Sequence, residues 1–340
     1  MPKVTVLMAV RNGMPYLAGA IDSVLRQTFD EFEFVIIEDA STDDSRKVLN
    51  SYSDKRLRLV FNRKQLGLSR SLNKGLDIAS GQYIARMDHD DISLPRRLKT
   101  QYSFMEEHPD IDVLGCWAKT IGGKPEQTWK YPERDEDIRS EFIFNSSVVH
   151  SSVMLRRSTF ERLQLRYDEK VVRAQDYELW TRASPRVRFA NLQSVLLRYR
   201  LHSHQVGRQY GHEQQAVADQ VRLRELYRLG LNPTAVEKKI HNRTALWDFP
   251  NTSAGLQAME RWFLKLAAAN KRKQIYIPSA LSRTLERRWW GACRVNIDLG
   301  LLAWKRYARS PLSGFAAINV FEKIYFRIKA LTREGSRKRI

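Results

Sequence analysis

The sequence has little cysteine and no long hydrophobic run. Its two cysteines, Cys116 and Cys293, lie far apart and have no Cys or His neighbours at the spacing of zinc ligands. Neither a disulfide framework nor a zinc module is therefore expected, and a reducing cytoplasm is the compartment that fits best. No segment approaches the roughly 18 consecutive apolar residues of a membrane-spanning helix. We expect a chain without a cleaved signal that is soluble or bound at a membrane surface.

Acidic residues are few relative to basic ones. The 340 residues include 58 Lys and Arg against 38 Asp and Glu, a formal net charge of +20. The excess is concentrated at the C-terminal end, where residues 271–340 hold 17 basic and four acidic side chains. This asymmetry predicts an anionic partner for that region. No nucleic-acid-binding module accompanies the charge, so nucleic acid is not the expected partner.

Glycine-rich phosphate loops are also absent. Gly67 and Gly81 stand alone and belong to neither a P-loop nor a dinucleotide fingerprint. If the protein binds a phosphorylated ligand, the negative charge of the phosphate must be neutralised by a cation and basic side chains.

The first hundred residues alternate between apolar strands and amphipathic helices. The pattern predicts strands at 4–10, 32–37, 57–61 and 83–87, and helices at 16–27, 45–52 and 69–78. Each predicted strand ends in polar or acidic residues, and ligands bind at the carboxyl ends of parallel strands. We predict an α/β fold with a doubly wound, nucleotide-binding sheet. A chain of this length should add a second region.

The segment YIARMDHDDISLP, residues 83–95, places three carboxylates at the end of the fourth strand. Asp88, Asp90 and Asp91 would repel one another unless a cation or hydrogen-bonding loop offset their charge. Mg²⁺ and Mn²⁺ prefer oxygen ligands, so the Asp-x-Asp pattern predicts a metal site that binds a diphosphate. The alternative is an acidic turn in which Asp91 or Ser93 caps the next helix.

Ordered motifs over residues 2–206 resemble those of family 2 glycosyltransferases. They are VTVLMAVRNG, AIDSVLRQTF, EFEFVIIEDASTDDS, LGLSRSLNKGL, GQYIARMDHDD, HSSVMLRRS, AQDYELW and YRLHSHQV. Their common order and spacing favour the metal site over the acidic turn. The resemblance implies a catalytic domain of the GT-A fold, with a doubly wound mixed sheet, over residues 1–206. A helical, basic and aromatic-rich region would follow over residues 207–340.

The activity that the resemblance implies is transfer of a sugar from a nucleotide sugar, with a UDP-sugar favoured. The reaction would invert the anomeric carbon and depend on Mn²⁺ or Mg²⁺. The acceptor would be a hydroxyl of a glycan or lipid-linked glycan in surface polysaccharide biosynthesis. A nucleotide-sugar-binding protein without turnover and a basic nucleic-acid-binding protein are the alternatives.

The resemblance also assigns residues to the donor and the metal. Asp39 matches the carboxylate that binds the nucleotide base, with Ala9 and Arg11 close by at the end of the first strand. Asp88 meets the ribose or the metal, and Asp90 holds the cation. The resemblance further assigns Arg70, Asn73 and His89 to the donor, and His202 to the metal.

The proposed base is Asp176, in the motif AQDYELW. It matches the aspartate that removes the acceptor proton in inverting members, although Gln175 replaces the usual glutamate before it. Without that neighbouring charge the pKa of Asp176 should be lower than in the common pattern. A helix cap is the alternative role for Asp176. On the acceptor side we expect His150 and Trp180, with a structural histidine as the alternative for His150.

Beyond residue 206 the sequence predicts helices at 214–229, 255–270 and 280–309. Aromatic and basic residues alternate from residue 287 onward. Such mixing is typical of a segment at an anionic membrane surface, and it predicts a peripheral protein at the inner face of the cell membrane. The alternative is a helical bundle whose core is aromatic and whose basic face is solvated. The aromatic members are Trp289, Trp290, Trp304, Tyr307, Phe315, Phe321, Tyr325 and Phe326.

Overall fold

The computed structural model describes residues 2–203, 211–316 and 318–337. The chain forms two compact units. Unit 1 runs to Ile138 and resumes over Ser146–Ala218, whereas unit 2 comprises Arg139–Asn145 and the residues from Asp219 onward. The predicted boundary at residue 206 lies outside the described residues, and the two units do not coincide with a single cut there.

Unit 1 is built on a mixed sheet. Its strands are β1 Val4–Val10, β2 Phe32–Glu38, β3 Leu57–Phe61, β4 Tyr83–Met87, β5 Ile92–Ser93, β6 Val113–Ile121, β7 Thr128–Trp129, β8 Met154–Arg156 and β9 Phe189–Arg200. Within the described chain their order is β3-β2-β1-β4-β8-β6-β9-β5, with β7 paired to β6. Strands β1 to β4 are parallel, and β8 runs antiparallel to β4 and β6. The predicted α/β fold with a mixed sheet is confirmed.

Helices cover both faces of this sheet. They are α1 Leu17–Leu25, α2 Ser45–Asn50, α3 Leu68–Ile78, α4 Arg97–Glu107, α5 Asp135–Glu141, α6 Arg157–Arg162 and α7 Gln175–Ala183. Alternate residues of β1, such as Val6 and Met8, share a buried cluster with Leu17 of α1 and Leu98 of α4. Leu7 points to the other face, where it contacts α3 at Gly75. Because β1 is covered on both sides, all seven of its residues are buried, as expected of a parallel strand.

The carboxyl ends of β1, β2 and β4 lie side by side. Strand β1 is the middle of the three, with Val10 opposite Glu38 and Met8 opposite Met87. The loop after β2 starts against the end of β1, where the backbone N–H of Asp39 donates to the carbonyl of Val10 at 2.8 Å. This edge therefore gathers the polar residues that follow each strand.

Unit 2 is helical. Its helices are α8 Gly211–Arg228, which begins in unit 1, then α9 Ala235–Ala245, α10 Ser253–Lys273, α11 Pro278–Val295, α12 Leu301–Arg309 and α13 Val320–Arg337. The single helix predicted at 280–309 is wrong, because Gly300 adopts a positive φ of 61° and interrupts it. Among the described residues, no helix combines the length and the apolar character needed to cross a membrane.

The core of unit 2 is aromatic. Trp289, Trp290, Tyr307 and Phe326 are buried, so for these residues the helical-bundle alternative describes the structure. Phe315, Phe321 and Tyr325 are exposed instead.

The segment Arg139–Asn145 belongs to unit 2 for a physical reason. Its Ile143 and Phe144 are fully buried in the unit 2 core, and Glu141 pairs with both Arg287 and Arg288. Apolar burial and ion pairing together hold this short segment among the helices.

Gly81→Ala tests how closely the chain before β4 must approach β1. The added Cβ would lie 2.6 Å from the carbonyl carbon of Val4, a backbone atom that cannot rotate away. We expect the free energy of unfolding to fall by about 1–3 kcal/mol, measured by urea denaturation. Gly211→Ala is the control, since nothing lies within 4 Å of its Cβ position. Equal unfolding midpoints for the two variants would contradict the close approach.

Candidate active site

An acidic cluster forms at the end of β4. Asp88, Asp90 and Asp91 each offer a carboxylate oxygen, and these three atoms lie within 4.8 Å of one another. Asp88 and Asp90 are partly exposed, whereas Asp91 is fully buried. Oxygen atoms at this spacing fit a hard divalent cation such as Mg²⁺ or Mn²⁺.

Asp91 connects the cluster to two other parts of unit 1. Its carboxylate accepts hydrogen bonds from Ser151 Oγ at 2.5 Å and from the backbone N–H of Arg200 at 2.8 Å. Burial, together with the charges of Asp88 and Asp90, raises its pKa well above the usual value. The alternative in which Asp91 or Ser93 caps the next helix is wrong: α4 begins at Arg97, and its N-cap, Arg96, makes no side-chain capping bond.

Two buried arginines lie behind the cluster. Arg86 is 2% exposed and forms an ion pair with Asp88. Arg97 is 1% exposed and donates to the backbone carbonyl of Arg86 at 2.7 Å. Burial lowers the pKa of Arg97 to about 10, so this side chain remains charged at neutral pH. A buried cation is costly without an opposing charge, so we infer that the carboxylates and the arginines stabilise one another.

His202 reaches the same cluster from the end of β9. Its Nε2 lies 2.9 Å from Oδ2 of Asp90, and its ring packs against Tyr16 with centroids 4.8 Å apart. The neighbouring Arg200 donates from Nε to the backbone carbonyl of Asp90 at 2.8 Å. The structure thus brings His202 to Asp90, so that residues assigned to the metal from two distant parts of the sequence of unit 1 lie together.

Asp176 lies in the first turn of α7. The N-cap of this helix is Ala174, which has a left-handed φ of 50°, so Asp176 does not occupy the capping position. Burial raises the pKa of Asp176 despite a hydrogen bond from the backbone of Tyr177 and the nearby charge of Arg86. The lower pKa expected for Asp176 rested on the missing negative charge at Gln175. Burial acts in the opposite direction and is the largest cause of the shift in its pKa.

Comparison with known proteins identifies the family. The sequence profile described as Glycosyl transferase family 2 matches residues 5–164. An uncharacterized glycosyltransferase of Haemophilus influenzae is 30% identical over 257 residues, covering 72% of this chain and 79% of its own length. The chain belongs to glycosyltransferase family 2. It is also 32% identical over 207 residues to the O-antigen biosynthesis glycosyltransferase WbnJ of Escherichia coli, covering 59% of this chain and 80% of WbnJ.

The fold agrees with this assignment. The crystal structure of residues 1–349 of S. aureus TarS in complex with UDP-GlcNAc aligns with a TM-score of 0.55 and 17% identity, covering 99% of this chain and 92% of that TarS fragment. At this identity the likeness shows the fold alone. This family 2 glycosyltransferase has the GT-A fold, followed by a helical C-terminal region.

The donor-side residues of the glycosyltransferase lie at the shared edge of the sheet. Ala9 lies in β1 and is nearly buried, and Arg11 is exposed just after that strand. His89 reaches the same turn, where its Cδ2 would be 3.2 Å from a Cβ at Gly13. Asp39, 3% exposed, follows β2.

The Asp39 carboxylate already accepts three hydrogen bonds from the loop after β3. The donors are Asn62 Nδ2 at 2.9 Å and the backbone N–H groups of Leu66 and Gly67 at 2.8 Å each. Asp39 therefore organises this loop. Its contact with a nucleotide base remains a prediction, which requires a further lone pair of the carboxylate.

Arg70 and Asn73, which the sequence assigns to the donor, make contacts within unit 1. Both polar ends of the Asn73 amide bond the backbone of Tyr167 at 2.9 Å, and Arg70 pairs with Glu169 at 2.9 Å. These contacts tie α3 to the segment before α7. The donor contact of Asn73 stays a prediction, which would use the second N–H or the second lone pair of its amide.

The acceptor-side prediction separates into two outcomes. His150 is partly exposed, and its Nε2 lies 2.8 Å from the hydroxyl of Tyr167. Burial and the charge of Arg86 lower its pKa well below the usual value, so the ring is neutral. Trp180 is fully buried and packs edge-on against His150, with ring centroids 6.4 Å apart. An indole without exposed surface cannot contact an acceptor, so the prediction for Trp180 is wrong and its role is packing.

Arg86 is the site residue that the sequence prediction missed. Its charge acts on Asp88, His150 and Asp176. The signal was present in the sequence, because a lone arginine two positions before Asp88 in an apolar strand must project to the same face as that aspartate.

Arg86→Met should change the response of the glycosyltransferase to Mn²⁺. Without metal, the unfolding temperature should fall, because Asp88 loses its buried counter-charge. Added Mn²⁺ should raise the unfolding temperature more than in the wild type, since Asp88 is no longer shared with a guanidinium. Thermal unfolding across a Mn²⁺ series measures both effects.

The control for this variant is Arg56→Met. It breaks the ion pair with Asp54, elsewhere in unit 1, and should leave the Mn²⁺ response unchanged. Identical Mn²⁺ shifts in the wild type and Arg86→Met would show that Arg86 and the cation do not share Asp88.

Proposed function

We propose that this glycosyltransferase moves a sugar from a UDP-sugar to a hydroxyl of a glycan or lipid-linked glycan, with inversion of the anomeric carbon. The observation that carries this proposal is that the charge of Arg86 acts on two acidic groups from different parts of unit 1. Arg86 pairs with Asp88 of the acidic cluster, and its charge reaches Asp176 of α7. A diphosphate-binding centre and a separate base are the two parts that such a transfer needs.

The donor set supports a divalent metal cofactor. Three clustered carboxylates outnumber the two buried arginines, so a cation would offset charge that the protein leaves in place. Asp88, Asp90 and His202 would hold Mn²⁺ or Mg²⁺, with the imidazole favouring Mn²⁺. A bound cation would neutralise the charge that develops on the departing diphosphate.

Asp176 takes the proton of the acceptor hydroxyl in this proposal. The residue as a whole is partly exposed, so an acceptor can reach it. Only the ionised carboxylate acts as a base, and because burial raises its pKa, activity should increase as the pH rises through that pKa. Since Asp88, Asp90 and Asp91 are engaged at the acidic cluster, Asp176 is left as the base of a single displacement. One displacement without a covalent intermediate inverts the anomeric centre.

Arg86 and His150 support this chemistry. Nε of Arg86 is buried and has no hydrogen-bond partner among the residues that the structure describes. An unpaired buried N–H is costly, and an oxygen of a bound substrate would satisfy it. His150 is neutral, so it can donate to or accept from a sugar hydroxyl without adding charge.

The similarity to WbnJ supports an acceptor in surface polysaccharide biosynthesis, in the manner of an O antigen, lipopolysaccharide or capsule. The fold shared with TarS, whose structure contains UDP-GlcNAc, supports a UDP-sugar donor. We place the enzyme in the cytoplasm, at the inner face of the cell membrane, where a lipid-linked acceptor would be found. Its anionic partner would be that membrane, and nucleic acid is not proposed.

Asp90→Ala should abolish transfer and the Mn²⁺-dependent part of UDP binding. The substitution removes a central oxygen ligand while leaving a partly exposed site that tolerates a smaller side chain. Isothermal titration with UDP, with and without Mn²⁺, measures binding, and a panel of UDP-sugars measures turnover. Turnover equal to that of the wild type would remove Asp90 from the metal site.

Asp176→Asn should preserve UDP and Mn²⁺ binding while lowering kcat by about 100-fold or more, the usual effect of losing a positioned base. Asp110→Asn, on an exposed carboxylate of unit 1, is the matched control and should leave kcat unchanged. A variant that lost donor affinity but kept its kcat would instead assign Asp176 a structural role in α7.

A further inference from the structure

Helix α13 has two apolar faces, of which one is buried. Phe326 and Ala330 are 2% and 0% exposed. The ring of Phe326 packs against Trp290 and Trp304, with centroids 5.3 and 5.8 Å apart. This face alone satisfies the usual need of an amphipathic helix to bury one apolar stripe.

The second apolar face is exposed, and its members are called the α13 stripe. They recur at spacings of three and four residues and lie opposite the buried pair. Each is about half exposed or more. The α13 stripe consists of Val320, Phe321, Ile324, Tyr325, Ile328 and Leu331, with exposures of 61%, 77%, 51%, 56%, 54% and 47%. A contiguous apolar surface of this kind marks a binding site more often than an ordinary solvent face.

Cations flank the α13 stripe. Lys323 and Arg327 lie along one border and Lys329 along the other, as helical spacing requires. Lys329 Nζ also lies 4.7 Å from the ring centroid of Tyr325. The acidic Glu322 is near Arg294, 3.5 Å away, so its charge is partly offset. An apolar face rich in aromatic residues with basic borders is typical of helices that lie in the interface of an anionic membrane.

A buried carboxylate fixes the chain that leads into α13. Glu286, fully buried on α11, accepts hydrogen bonds from the backbone N–H groups of Gly314, Phe315 and Ala316. It also accepts from the hydroxyl of Tyr307 at 2.8 Å. The approach to the helix is therefore anchored within unit 2, which reduces the entropy lost when the α13 stripe meets a surface.

We propose that the α13 stripe inserts into the headgroup region of an anionic lipid membrane, with Lys323, Arg327 and Lys329 on lipid phosphates. A second copy of this chain is a poorer occupant, because the cationic borders of two stripes would face each other. The inference deepens the membrane location in the proposed function by naming its contact residues. It does not depend on sugar transfer.

The experiment is sedimentation of the full-length chain with vesicles of phosphatidylglycerol and phosphatidylethanolamine, or of phosphatidylcholine alone. The variant Phe321→Ser with Ile328→Ser removes two anchors and should lower the partition coefficient on anionic vesicles at least about tenfold. Its control is Val236→Ser with Ile277→Ser, which changes two similarly exposed apolar residues of unit 2, at 65% and 56%, and should partition like the wild type.

The charge is tested separately. Arg327→Glu with Lys329→Glu should abolish the preference for anionic over neutral vesicles, and added salt should weaken wild-type binding in the same direction. Lys239→Glu with Lys271→Glu changes the net charge equally at exposed sites outside α13 and should retain most of the preference. Because all these residues are exposed, unfolding temperatures equal to that of the wild type confirm that each variant folds.

Two results would overturn the inference. One is equal vesicle binding by the wild type and the stripe variant, including no binding by either. The other is a wild-type dimer in analytical ultracentrifugation without vesicles that the stripe variant converts to a monomer, which would assign the α13 stripe to a second copy. UDP-sugar turnover with a water-soluble acceptor is measured in parallel, so failure of the membrane inference is distinguished from failure of the transferase proposal.

Discussion

The carboxylates of the acidic cluster at the end of β4 repel one another, and the cluster is stable only because positive charge offsets that repulsion. Asp88, Asp90 and Asp91 place carboxylate oxygens within 4.8 Å of one another, and nearby positive charge reduces their repulsion. The protein provides part of that charge through Arg86 and Arg97, which are themselves stable in the interior only beside acids. Since neither set is stable alone, the arrangement of strands β4, β8 and β9 around them is fixed by electrostatics as well as by packing. The remaining negative charge supports the divalent cation that we propose at this edge of the sheet.

Backbone conformation at the same edge breaks local preferences. Asn12, Ala40 and Ala174 all have left-handed φ angles between 50° and 53°, a region that costs a residue with a Cβ about 1 kcal/mol or more. The first two follow β1 and β2, and the third directly precedes the helix that carries Asp176. Strained positions persist only where surrounding contacts hold them, and they concentrate at functional sites. Gln164, Trp247 and Gln274 have similar φ angles elsewhere in the described chain, so left-handed backbone accompanies the site but is not confined to it.

Much of unit 1 could be predicted from its sequence because its signals are local. The strands predicted at 4–10 and 57–61 have the observed bounds of β1 and β3, and the acidic triplet marked the end of β4. Properties that depend on tertiary contacts could not be predicted in this way. The amide of Asn73 is used by Tyr167, far along the chain, and Trp180 is covered by packing that its helix does not reveal. The spacing of Arg86 from Asp88 indicated a shared face, but the sequence does not show that His150 and Asp176 also lie near its charge.

Unit 2 shows a further limit of pattern reading, because helical periodicity does not distinguish a face that packs on neighbours from one that meets solvent. Interleaved aromatic and basic residues suggested two alternatives, a membrane surface or an aromatic core, and the structure divides the residues between them. Trp290, Tyr307 and Phe326 form the core, whereas Phe321 and Tyr325 remain exposed on the opposite side of α13. Aromatic side chains that served only to stabilise unit 2 would be expected in its core. Large apolar side chains on the exposed face of α13 contribute nothing to that core, and their contact with water is unfavourable. The exposed stripe and its basic borders therefore favour a contact beyond unit 2 itself, and the lipid surface that we propose as the partner has apolar and anionic layers that match both features.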